Sequence, residues 1–137
     1  MKCYGLTGFP LSHSFSKIYF EKKFQLEKLE DCSYELFPLE RITGLNKLIE
    51  EVSCLKGLNI TIPHKKAVIP FLDEIDEEAR LTGAVNCIKI IREKNKAVLK
   101  GFNTDVPAFV ISLIPLLEEQ HTSALVLGTG GASAEGN

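Results

Sequence analysis

The strongest structural signal in the chain is the sequence Val85-Asn86-Cys87-Ile88-Lys89-Ile90-Ile91-Arg92-Glu93-Lys94-Asn95-Lys96-Ala97-Val98-Leu99-Lys100-Gly101-Phe102. It consists of two β-rich runs, residues 85–92 and 97–102, joined by the polar segment 93–96. Two such runs around a short polar turn are typical of a β-hairpin. We therefore predict a hairpin in the C-terminal part of the chain.

Strands and helices alternate on the N-terminal side of this hairpin. The predicted strands are residues 2–7, 33–39 and 57–62, and the predicted helices run from Ser14 or Ser16 to about Leu29 and over residues 41–55. Short helical pieces follow as far as Arg80, and a helix after the hairpin ends near Gln120, before a last strand at 124–127. This order predicts an α/β fold, with a mixed, mostly parallel sheet flanked by helices and one C-terminal hairpin.

The composition narrows the classes of partner. The chain has 137 residues, 45% of them apolar and 25% charged, and a formal net charge of −2. A slightly acidic domain has no basic field for nucleic acid or an anionic membrane, so we expect a small-molecule ligand. Residues 1–5 carry no secretion signal, and the apolar stretch 109–117 is too short to span a bilayer. We expect a cytoplasmic protein, and the sequence leaves a homo-oligomer open.

The cysteines and histidines indicate neither disulfides nor a metal site. The four cysteines and three histidines are scattered along the sequence, without a CxxC pair. Zinc sites use closely spaced ligand pairs, and disulfides belong to oxidising compartments. We therefore expect reduced thiols and no metal.

Ser14 and Ser16 stand at the beginning of the first predicted helix. A helix N-terminus favours an anion, and two hydroxyl groups there suit a carboxylate. The alternative is an ordinary N-cap, which the pair alone favours because capping serines are common.

Asn59, Thr61 and Lys65 follow one another around the third predicted strand. Asn59 and Thr61 are two positions apart, so in a strand they face the same side and offer an amide and a hydroxyl group. Such a face suits a polyhydroxylated ligand, with Lys65 just beyond Pro63. The alternative is a half-exposed edge strand followed by a solvated lysine, and the two interpretations are evenly balanced.

Asn86 at the start of the hairpin and the triplet 103–105 after it complete the candidate set. Asn86 alone is weak evidence, and Asn, Thr and Asp before a helix are usually caps. Lys65 and Asp105 together, however, would form a cation–carboxylate pair. A carbonyl that receives a hydride needs a positioned proton donor, and this pair could serve as that donor.

The sequence Gly128-Thr129-Gly130-Gly131-Ala132-Ser133 follows the apolar run 124–127. A glycine turn after a strand lets the backbone approach a diphosphate and directs a helix N-terminus at it. The alternative is a flexible tail that tolerates glycine.

Five segments together resemble shikimate dehydrogenases. The matching segments, in the family's order, are residues 8–16, 57–65, 83–86, 101–105 and 128–133. The resemblance implies an NADPH-dependent enzyme that reduces 3-dehydroshikimate to shikimate, in the pathway to aromatic amino acids. It also implies a role for each matching residue. The substrate carboxylate would be held by Ser14 and Ser16, and its hydroxyl groups would be bound by Asn59, Thr61, Asn86 and Asp105. The acid–base residue would be Lys65, beside Asp105. The NADP site would begin with Gly128, Gly130, Gly131 and Ala132.

The resemblance further implies a division of the chain into a shikimate-binding catalytic domain (1–102), a linker helix (103–121) and the first strand and glycine turn of an NADP-binding domain (122–137). Because the family continues with a whole second domain, we expect a truncated chain that is inactive alone. After Ser16 the family usually has a proline and then a histidine–asparagine pair, whereas Lys17, Tyr19 and Phe20 stand here. These differences predict changed packing of the first helix.

Two other functions share these sequence features. A quinate/shikimate dehydrogenase would carry the same motifs, although a serine at position 14 favours shikimate. A non-catalytic ligand-binding module is the second alternative, and tight binding of shikimate by this chain alone would favour it.

Overall fold

The computed structural model describes residues 1–12, 14–94 and 96–127. The strands are β1 (Lys2–Gly8), β2 (Cys32–Pro38), β3 (Leu55–Ile60), β4 (Glu74–Ile75), β5 (Cys87–Glu93) and β6 (Lys96–Phe102). The α-helices are α1 (Phe15–Leu26), α2 (Leu45–Glu51), α3 (Glu77–Thr82) and α4 (Asp105–Leu113). Single 3₁₀ turns lie at Ile42–Gly44, Ile69–Phe71 and Ile114–Leu116. No described helix combines the length and the apolar character needed to cross a membrane.

The six strands form one sheet in the order β2-β1-β3-β5-β6-β4. The pairs β2–β1, β1–β3 and β6–β4 are parallel, and β3–β5 and β5–β6 are antiparallel. The predicted mixed, mostly parallel sheet with a hairpin is therefore confirmed. The carboxyl ends of β1, β3 and β6 lie at one edge of the sheet, where binding residues of α/β folds concentrate.

The two faces of the sheet are covered unequally. One face carries the main core, in which Leu45 and Ile49 of α2 pack with Leu55, Leu58 and Ile88 of the sheet. On the opposite face α1 lies over β1 and β2. Its rings Phe20 and Phe24 contact Tyr34 and Tyr4, at centroid distances of 4.6 and 6.0 Å.

Several predicted boundaries are wrong, each for a local reason. The predicted helix 41–55 is a 3₁₀ turn followed by the short α2, because the chain leaves the helical region at Val52 (φ −102, ψ 77) and Leu55 already belongs to β3. Helix α1 ends three residues before Leu29, since Lys28 adopts a left-handed conformation (φ 55). Helix α4 ends at Leu113 rather than near Gln120, because Pro115 has no N–H for a continuing helix.

The strand predicted at Ala124–Leu127 does not form within the described residues. Residues 121–127 have no regular secondary structure, and the sheet contains no neighbour for them. A β-strand requires a hydrogen-bonded partner, which an apolar run cannot supply by itself. The assignment of residues 122–137 to a nucleotide-binding domain stays a prediction.

Candidate ligand-binding site

Lys65 and Asp105, forty positions apart in the chain, are in direct contact. The Lys65 Nζ donates a hydrogen bond to the Asp105 Oδ2 over 2.5 Å, and the two side chains are 15% and 40% exposed. The backbone explains the approach, because the Lys65 carbonyl accepts from the Val85 N–H at 2.8 Å and so joins the lysine segment to the start of the hairpin. Asp105 is the first residue of α4 and follows the second hairpin strand, which ends at Phe102, after two connecting residues.

Asn103 holds Asp105 in this position. Its Oδ1 accepts hydrogen bonds from the backbone N–H groups of Asp105 (3.0 Å) and Val106 (3.1 Å), so its side chain caps α4. Its Nδ2 donates to the Ala84 carbonyl at 3.0 Å and to the Thr82 hydroxyl at 3.2 Å. The N-cap position of α4 is Thr104, but the capping bonds expected of the triplet 103–105 come from the Asn103 side chain, which leaves the Asp105 carboxylate for Lys65 and a ligand.

Asn86 joins the hairpin to α4. Its Nδ2 donates to the Thr104 Oγ1 at 2.9 Å, and its Oδ1 accepts from the Thr104 N–H, also at 2.9 Å. Its backbone carbonyl accepts from the Ile60 N–H, next to the end of β3. These bonds use one of the two Nδ2 hydrogens, and the second is the group that Asn86 can offer a ligand.

Asn59 and Thr61 lie at the end of β3, beside the carboxyl end of β1. Asn59 pairs in register with Leu6 of β1 and with Cys87 of β5. Thr61 follows the last residue of the strand, and its N–H donates to the Thr7 carbonyl at 2.9 Å. Both side chains are half-buried. Asn59 and Thr61 therefore lie at the same edge of the sheet as Lys65 and Asn86, although β3 ends at Ile60 and Thr61 lies just outside the strand predicted to hold both.

Ser14 is the N-cap of α1, since its Oγ accepts from the Lys17 N–H at 3.3 Å. Ser14 is thus the ordinary N-cap that the sequence pattern favours. Because its oxygen accepts this bond, its O–H can still donate to a ligand. Ser16 lies in the first turn of the helix. The Lys17 ammonium pairs with Glu35 at 2.8 Å, so its charge is already compensated there.

Tyr34 contacts both α1, through its ring, and β3, through its hydroxyl group. This residue was not identified from the sequence. Its hydroxyl donates to the Asn59 Oδ1 at 2.7 Å. Burial raises the pKa of Tyr34 to about 12, although the nearby Ser16 hydroxyl acts to lower it. Burial also raises the pKa of the Cys87 thiol, which argues against Cys87 as a nucleophile.

A cavity of about 600 Å³ lies where α1 leaves the sheet uncovered. Its lining includes Phe20, Tyr34, Asn59 and Cys87, but neither Lys65 nor Asp105. The Lys65–Asp105 pair therefore lies outside this cavity. The predicted cofactor residues Gly128, Gly130, Gly131 and Ala132 lie outside the described part of the chain.

Comparison with known proteins identifies relatives over the whole chain. Residues 6–88 match the family model described as the shikimate dehydrogenase substrate binding domain. A curated relative from Staphylococcus haemolyticus, named shikimate dehydrogenase (NADP(+)), is 38% identical over 133 residues, which make up 95% of this chain and 47% of the relative. The chain thus spans about half the length of the curated relatives it matches.

Solved structures agree with this similarity. Shikimate dehydrogenase 1 from Peptoclostridium difficile superposes with a TM-score of 0.86 at 34% identity, over 99% of this chain and 51% of that protein. The shikimate 5-dehydrogenase from Thermus thermophilus, in complex with NADP(H) and shikimate, gives a TM-score of 0.82 at 33% identity, over 98% of this chain and 50% of that protein.

Proposed function

Because the chain belongs to the shikimate dehydrogenase family, we propose that it forms the substrate-binding wall of an enzyme that reduces 3-dehydroshikimate to shikimate with NADPH. The observation that carries the proposal is the contact of Lys65 Nζ with Asp105 Oδ2 at 2.5 Å. It lies at the sheet edge that also holds Asn59, Thr61 and Asn86.

In this proposal different polar side chains bind different groups of the substrate. The hydroxyl groups of Ser14 and Ser16 bind the carboxylate at the N-terminus of α1, where the helix dipole favours an anion. The ring hydroxyl groups are bound by Asn59, Thr61, Asn86 and Asp105. Short amide and hydroxyl side chains suit this task, because a buried hydrogen-bonding group rejects a ligand that leaves it unpaired.

Lys65 is the acid–base residue of the proposed reaction. NADPH supplies the hydride, and the residues proposed to hold it are the glycine turn 128–132. As the carbonyl carbon is reduced, the Lys65 ammonium transfers a proton to the carbonyl oxygen, which becomes the hydroxyl of the product. The Asp105 carboxylate accepts a hydrogen bond from the same ammonium and orients it. We place the reaction in the cytoplasm, where the four cysteines, free in the structure, stay reduced.

The proposal is tested by titrating the 137-residue chain with shikimate and following its amide resonances. We expect weak binding, with a dissociation constant of about 1 mM or weaker, because the described residues form one wall of a cleft. The shifts should be concentrated at Asn59, Asn86 and Asp105. The methyl ester of shikimate should bind less well, because it lacks the charge that Ser14 and Ser16 are proposed to hold.

A matched pair of variants makes this test specific. Asp105→Ala should abolish the shifts, whereas Asp31→Ala should leave them unchanged. Asp31 also forms an ion pair, with Lys2 at 3.3 Å, but at the opposite end of the sheet. If shikimate moves no resonance near Asn59 and Asn86, or if both variants bind it equally, the proposed function is wrong. Tight binding by this chain would instead favour the non-catalytic module, and equal binding of quinate would favour the broader quinate/shikimate enzyme.

A further inference from the structure

Tyr34 lies on an edge strand, yet its side chain is buried beneath α1. Only 2% of the residue is exposed, and its ring stacks on Phe20 with 4.6 Å between centroids and 11° between planes. Its hydroxyl reaches past the neighbouring strand β1 to the Asn59 Oδ1 on β3, at 2.7 Å. The phenol therefore contacts a residue of the proposed ligand site without belonging to that site.

We propose that Tyr34 is a positioning residue, which fixes the Asn59 amide so that this side chain offers a ligand its N–H groups rather than its carbonyl oxygen. The inference rests on the proposed function, because it takes Asn59 to be a ligand-binding residue. It adds a residue to the site and states which chemistry Asn59 presents, namely donors for an oxygen acceptor such as a ring hydroxyl.

An asparagine side chain ends in two groups of nearly the same shape. Its oxygen and nitrogen are similar in size, so an unrestrained amide can turn over and exchange donor for acceptor. The buried phenol disfavours this exchange, because a turned amide would direct its Nδ2 at the phenol oxygen and take the acceptor at 2.7 Å away from the Tyr34 O–H, and an unpaired buried donor is costly. With the Asn59 Oδ1 engaged by the phenol, the Nδ2 hydrogens are the groups left for a ligand.

Two features keep the phenol a donor in this geometry. Burial raises its pKa to about 12, so the hydroxyl proton is present throughout the physiological pH range. The stacked Phe20 ring restricts the Tyr34 ring. The rigid ring then sets where the Asn59 amide lies.

The test compares Tyr34→Phe with Tyr4→Phe in the 137-residue chain. Both changes remove one phenolic oxygen from the same face of the sheet, and the two tyrosines pair in register on adjacent strands. The Asn59 side-chain amide resonances, assigned by their loss in Asn59→Ala, are the first readout and need no ligand. They should shift in Tyr34→Phe and stay in place in Tyr4→Phe.

Shikimate affinity is the second readout. Loss of one positioning hydrogen bond should weaken binding about 2- to 10-fold in Tyr34→Phe and leave it unchanged in Tyr4→Phe. In a Ser16→Ala background, which removes the other side-chain partner of the phenol, the double variant Tyr34→Phe/Asn59→Ala should bind no worse than Asn59→Ala, because Tyr34 then acts through Asn59. Additive losses would show a general packing effect and overturn the proposal.

The outcomes separate this inference from the proposed function. If the wild-type chain fails to bind shikimate, the proposed function is wrong, while the Asn59 amide resonances still decide whether Tyr34 orients the amide. If Tyr34→Phe does not fold, the hydroxyl proton of Tyr34 in the wild-type chain should give a cross-peak to the Asn59 amide hydrogens. Absence of that cross-peak, or unchanged Asn59 resonances in a folded Tyr34→Phe, overturns the positioning role.

Discussion

Replacing Asn103 with alanine should destabilise the chain more than almost any other single polar substitution. The Asn103 side chain is 2% exposed and serves two elements at once. Its oxygen caps α4 through two backbone N–H groups, and its nitrogen donates to the Ala84 carbonyl in the segment before the hairpin. Alanine removes every one of these bonds and cannot replace them.

The expected loss follows from these contacts. Removing a helix cap costs about 0.5–2 kcal/mol, and depriving the Ala84 carbonyl of its donor at 3.0 Å, so that it keeps the weaker bond from the Thr82 hydroxyl at 3.4 Å, costs about 1–3 kcal/mol. We therefore expect a decrease of about 3 kcal/mol in the free energy of unfolding. That is a large part of the stability of a single domain, which is typically about 5–15 kcal/mol.

Urea unfolding monitored by circular dichroism measures this loss directly. Asn46→Ala is the matched control, because Asn46 is exposed on α2 and its loss should change the unfolding free energy by less than about 0.5 kcal/mol. Amide hydrogen exchange at Asp105 and Val106 should accelerate in Asn103→Ala, since those N–H groups lose their acceptor. A loss in Asn103→Ala no larger than in Asn46→Ala would refute the reasoning.

Three further predictions address the site. Because the folded-state pKa of Tyr34 is raised from 10.0 to about 12, its contribution to stability is fully present below pH 10 and should be lost as the pH rises towards 12. Unfolding experiments across that pH range should show the loss of stability in the wild-type chain and not in Tyr34→Phe. Gly8→Ala would place a Cβ 2.5 Å from the Thr61 Cγ2, so it should lower the free energy of unfolding by about 1–3 kcal/mol and weaken shikimate binding. In the control Gly44→Ala the new Cβ meets the end of the Leu39 side chain at 3.2 Å, and equal stability of the two variants would contradict the prediction. In an active protein that contains these residues, Lys65→Ala should lower kcat about 10²- to 10⁴-fold with a much smaller change in KM, and near-normal turnover would remove Lys65 from the mechanism.

The hairpin was accessible from the sequence because it depends on local chemistry, whereas the contact of Lys65 with Asp105, forty positions apart, was predicted from the chemistry that the two side chains would perform together. Alternating β-formers around a polar turn identify the hairpin, and the two charged residues stand where a strand ends and a helix begins. Sequence reasoning could name the pair for this reason. That the two meet also depends on the Val85 N–H bonding to the Lys65 carbonyl, which is a property of the folded sheet.

The Tyr34 interaction could not be predicted in this way. Tyr34 reads as an ordinary strand residue, and its bond to Asn59 exists only because β2 and β3 lie on either side of β1. Strand β4 is similar, since its two residues form a strand only by pairing with Lys100 and Gly101. The ends of α2 and α4 were placed too late because apolar periodicity continues past the points where Val52 and Pro115 end the helices.

A crystal structure of this chain with shikimate would test the central claim most directly. We expect the ligand between Asn59 and Lys65, with its carboxylate at the N-terminus of α1 and the contact of Lys65 with Asp105 retained. Shikimate bound elsewhere, for example in the cavity of about 450 Å³ beside Arg92 and Lys94, with no contact to Asn59 or Lys65, would contradict it.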